Sequence, residues 1–67
     1  MVSIIMNIES FIAPTGLSII VVEKEKTNYR VKIVDRMYTQ IYFIKKVKAE
    51  SFEQASKIGW ETYLKES

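Results

Sequence analysis

Cysteine and histidine are both missing from this 67-residue chain, and glycine and proline are nearly so, with two and one respectively. Each absence removes a class of chemistry. Without cysteine there can be no disulfide framework and no thiol nucleophile. Without histidine the commonest general base is gone, and a zinc site has lost its usual ligands. Two isolated glycines, Gly16 and Gly59, cannot build a phosphate-cradling loop. The carboxylates are scattered with no pair at a spacing typical of glycoside hydrolysis or metal binding. The expectation is a protein that is not an enzyme, with no cofactor, no metal site and no catalytic residues.

Long hydrophobic runs are lacking too. The first 22 residues carry a single charge, Glu9, yet their longest unbroken apolar run is Ile19 to Val22. A membrane span or a secretory leader needs far more. The chain is therefore expected to be soluble, intracellular and cytoplasmic.

What is present is a 48% apolar composition in a single domain spanning residues 1–67, near the lower size limit for folding without staples. The pattern predicts an α+β fold, an antiparallel β-meander of three to four strands with one C-terminal helix packed on one face. Val2, Ile4, Met6 and Ile8 alternate as a strand over about 2–8 would, although Ile8, Phe11 and Ile12 also suit a turn of helix. Ala13-Pro14-Thr15-Gly16 reads as a type I turn. Residues 17–23 form the strongest strand, apolar on both faces, and so should lie inside the sheet or be covered. Residues 28–34 alternate, with Tyr29, Val31 and Ile33 inward and Arg30 and Lys32 outward. A turn at 35–38 leads to a last strand over 39–49, with a bulge at Lys45-Lys46. An odd-length loop between these strands would oppose Ile33 to Ile41 and Val31 to Phe43, joining their apolar faces, and is preferred for the continuous core face it gives; a two- or four-residue loop would instead put Val31 opposite Tyr42. Ser51, with Gln54 three residues on, predicts the N-cap of the helix. Phe52, Ala55, Gly59 and Tyr63 then share its buried stripe.

The nine residues Val47-Lys48-Ala49-Glu50-Ser51-Phe52-Glu53-Gln54-Ala55 resemble the strand-to-helix signature V-x-A-x-S-x-E-x-A of small proteins from bacterial mobile elements and phages, such as the DpnD–PcfM-like family. The small size and the lack of catalytic chemistry also resemble phage accessory proteins. That resemblance implies a protein that binds and inhibits or modulates a host enzyme or defence complex. It transfers no binding residue.

Two surfaces are candidates for binding. Residues 24–48 hold eight basic residues against two acidic ones, a local charge of +6, while the rest of the chain carries −4. Arg30, Lys32, Tyr42, Lys45, Lys46 and Lys48 could meet an acidic partner, or phosphates and bases in an RNA or DNA. The helix offers Ile58 on one flank of its stripe and Trp60 and Leu64 on the other, an apolar arc too wide for one small sheet. The expected function is a non-enzymatic protein-binding module acting on a host protein. The alternative is a small nucleic-acid-binding protein. Because a single helix can shield only one side of the sheet, a homodimer is expected, unless residues 1–12 fold back over the second face.

Overall fold

The computed structural model describes residues 7–66. Four strands, β1 (Ile8–Ile12), β2 (Ser18–Glu25), β3 (Asn28–Asp35) and β4 (Ile41–Val47), form one antiparallel sheet in the order β1-β2-β3-β4 and are followed by α1 (Phe52–Glu66). This is the expected α+β meander with one C-terminal helix. The strand apolar on both faces, β2, is an inner strand, as its composition requires.

The first strand differs from expectation. It runs from Ile8 to Ile12, and the earlier part of the expected 2–8 strand falls mainly outside the described residues. Phe11 and Ile12 are extended rather than helical because Phe11 pairs with Ile20 and Ile12 with Ile19. Residues 8–12 therefore lie edge-on to β2 and do not fold back across the sheet. The Ala13–Gly16 turn forms as read: Gly16 N–H donates to Ala13 O at 2.8 Å, and Gly16 has φ +76°. β2 extends two residues further than expected, to Glu25, and returns through a two-residue loop with Lys26 at φ 42°. A positive φ is what tight hairpins ask of their first loop residue.

The β3–β4 register also departs from the sequence reading. Asp35 N–H donates to Gln40 O, so the loop is four residues, and Val34 faces Ile41. Continued unbroken, that pairing would turn Phe43 outward. One extra residue, Tyr42, restores the phase, and Ile33 then faces Phe43 and Val31 faces Lys45. The bulge thus lies at Tyr42 and not at Lys45-Lys46, and the pairing is slid two residues from the expected one. The gain is burial, since Phe43 and Val47 pack on the core.

Asp35 organises this loop. Its carboxylate accepts from Thr39 N–H and Oγ1 at 2.6 Å each and from Gln40 N–H at 2.7 Å. The Thr39 hydroxyl first, and the Gln40 N–H next, hold the carboxyl below its ordinary value of 3.8 against the opposing effect of desolvation. A lowered carboxyl pKa contributes stability above pH 3.8 and loses it as pH falls through the folded value. Asp35→Asn should therefore lower the unfolding midpoint at pH 7 and flatten its decline on the acid side. Coincident wild-type and variant curves of midpoint against pH would contradict this role.

The core lies between the sheet and α1. Ile20 and Val22 of β2 and Tyr29, Val31 and Ile33 of β3 are buried against Ala55. Gly59 is buried with them. The helix begins where the cap was read: Gln54 N–H donates to Ser51 Oγ at 3.0 Å, a contact of the kind that contributes about 1 kcal/mol. The Gln54 side chain closes the box one residue early, accepting from Glu50 N–H at 2.6 Å. Phe52 meets Tyr29 edge-on at 5.3 Å, and Tyr63 meets Phe43 at 5.5 Å.

A bare sheet face as the candidate site

Strand pairing fixes which side chains stand together on the side away from the helix. Directly opposed residues share a face, so the registers define three rows across the sheet. The first row is Ile12, Ile19, Val34 and Ile41; the second is Ser10, Val21, Lys32 and Ile44; the third is Ile8, Glu23, Arg30 and Lys46. One end of the face is wholly aliphatic and the other is charged. Ile12 is 70% exposed, Ile41 56%, Ile44 52% and Ile8 43%, while Val34, inside the first row, is buried. Among the described residues no element covers this face, because α1 packs on the opposite one.

The charged end has its own order. Glu25 holds Arg30 at 2.9 Å and Lys46 at 3.7 Å. Glu23 and Lys32 make no ion pair among the described residues. Acidic groups thus line β2, and basic groups line β3 and β4. The exposed pairs contribute about 0–1 kcal/mol each to stability, which leaves these charges free to serve recognition.

The candidate basic residues do not form one surface. Arg30, Lys32 and Lys46 share the bare face. Lys45, opposite Val31, belongs to the helix side, where its Nζ lies 2.7 Å from Glu66 Oε2. Lys48 is exposed in the connector to α1. Tyr42 occupies the bulge at the β4 edge and lines a hollow with Phe43, Tyr63 and Glu66. Tyr29 and Phe43, which the sequence interleaves with the lysines, are core residues.

The helical candidates also separate. Trp60 packs on the core, 5.5 Å from Tyr63, and closes a cleft of about 200 Å³ with Phe11, Ile12, Pro14 and Ile20. It covers the β1 side of the domain. Ile58 is half-buried, and Leu64 is exposed near the helix end. Sequence reasoning left the outward half of residues 17–22 and Ile44 uncovered without counting them as binding residues; it missed Ile12, and it set Ile41 on the core face opposite Ile33, whereas Ile41 pairs with Val34 on the bare face. The signal for Ile12 and Ile41 was the doubly apolar strand at 17–22, whose outward half needs apolar neighbours on either side.

Together the fold and the face define a class: a two-layer α+β domain with one face of its sheet uncovered among the described residues. Comparison with protein-family models, curated proteins and solved structures found no match. Among the described residues no three acidic side chains gather as a metal site would require, and no helix is long and apolar enough to cross a membrane.

Proposed function

We propose that this chain is a non-catalytic protein-binding module of the cytoplasm, and that the bare sheet face is its contact surface. The observation that carries the reading is the unbroken row Ile12–Ile19–Val34–Ile41 beside Val21 and Ile44. Contiguous apolar surface beyond a few hundred Å² is uncommon on a monomer and marks interaction sites. The charged third row supplies the polar rim that such interfaces carry. A host protein, the partner that the phage-accessory resemblance implies, fits this surface as a class. Nucleic acid fits it less well. Lys45 stands on the helix side and Lys48 in the connector, so of the basic candidates Arg30, Lys32 and Lys46 share this face, beside Glu23 and Glu25, and two of the aromatics that could stack bases are in the core.

Ile41→Glu combined with Ile44→Glu places two charges on this face without touching the core. The variant should keep the wild-type circular dichroism spectrum. Immobilised wild-type chain, in a nuclease-treated extract of its native source, should retain a protein that the variant does not. Retention abolished by nuclease, or retention indifferent to the double substitution, contradicts the reading.

A further inference from the structure

The geometry points to a second copy of this chain as the occupant of the bare face, stacked sheet on sheet about a two-fold axis that runs parallel to the strands between β2 and β3. This deepens the protein-binding reading and rests on it.

The axis follows from where the charges sit. A two-fold along the strands lays β2 of one copy over β3 of the other and keeps each row over its own row. The aliphatic row then meets itself, Ile12 over Ile41 of the second copy and Ile19 over Val34. In the charged row Glu23 stands over Arg30 of the second copy, and symmetry repeats the pair. Acidic β2 therefore meets basic β3 twice. A two-fold perpendicular to the strands would lay each strand over its own copy and offer no such match. Sheets stacked face to face cross at about 30°, which displaces the outer strands most and leaves the central pair, β2 and β3, close to register.

A face four strands wide and three residue pairs long spans about 19 by 20 Å, a footprint of roughly 400 Å² per copy, below the standard size of specific interfaces. A weak dimer, populated only at high concentration, is expected. The match is partial: the same axis sets Lys32 of each copy over Val21 of the other and Lys46 over Ile8, so these side chains must lay their stems along the seam and carry their ammonium groups out to water.

Sedimentation equilibrium of the purified chain tests the occupant. The mass should rise with concentration from 7.8 kDa to twice that value. Glu23→Lys should weaken association about tenfold or more, because the introduced ammonium would face Arg30 of the second copy, and Arg30→Glu should do the same by setting two acids together. Mixed one to one, the two variants should recover dimer as a heterodimer, since both charge pairs are then opposite in sign. A strictly monomeric wild-type chain overturns the self-association while leaving the retention experiment to judge the broader reading. Dimerisation that ignores both reversals, or variants that fail to recover on mixing, overturns the proposed axis and contact.

Discussion

Gly59→Leu should lower stability by about 3 kcal/mol, moving the melting temperature down by roughly 10–20 °C in a domain of this size. A Cβ built on Gly59 would overlap the Val31 side chain, at 2.8 Å from Val31 Cβ and 3.0 Å from Cγ2. Val31 is itself fully buried in a central strand, so it has no room to give. Either the helix lifts from the sheet or β3 shifts, and each response opens the packing of Ala55 and Ile33. Gly59→Ala separates the causes. Alanine is the better helix former by about 1 kcal/mol, so a net loss with alanine isolates the contact with Val31. Thermal unfolding of both variants gives the answer, and a leucine variant that melts with the wild type would show that α1 does not lie on Val31.

Ile33→Ala should cost about 2–5 kcal/mol, the range for truncating a buried isoleucine and leaving a cavity. Ile33 is fully enclosed, held by Ile20 and Phe43 on either side. The informative comparison is Ile44→Ala, the same substitution on the opposite face of the neighbouring strand. In dilute solution, where the chain is alone, Ile44→Ala should change stability by no more than about 0.5 kcal/mol. A domain of 67 residues has a total stability of only about 3–10 kcal/mol. Ile33→Ala therefore threatens folding and Ile44→Ala does not. Denaturant titration decides, and similar losses at both positions would mean that both faces of the sheet are packed within one chain.

The helix and inner strands were legible because several local signals agreed there. Ser51 and Gln54 marked the cap, Gly59 marked a close approach, and Tyr29, Val31 and Ile33 alternated cleanly. The β3–β4 register was legible only in its phase. A four-residue loop and a one-residue bulge each shift the pairing, and their joint effect is to bury Phe43. That choice is made by the tertiary core and not by local propensity, so no reading of residues 35–42 alone could settle it. The same limit explains the candidate site. Lys45 and Lys46 are adjacent in sequence but stand on opposite faces, one bound to Glu66 and the other to Glu25. Trp60 looked like a flank because the helical wheel does not show that Phe11 and Ile12 pass beside it. The doubly apolar β2 did announce a second buried surface, but the partners that complete it, Ile12, Ile41 and Ile44, come from strands whose register the sequence left open.

Solvent access to the isoleucine methyl groups tests the central claim, that the sheet face away from α1 is a contact surface, more directly than any substitution. With the methyl groups labelled, a soluble paramagnetic agent broadens the NMR signal of each exposed one. At the lowest concentration that can be measured, the agent should reach Ile8, Ile12, Ile41 and Ile44 and should spare Ile20 and Ile33. As concentration rises or a bound protein is added, the first group should become protected and the core pair should stay as it was. Bare-face isoleucines that are shielded at every dilution, or that remain open in the complex, would contradict the account.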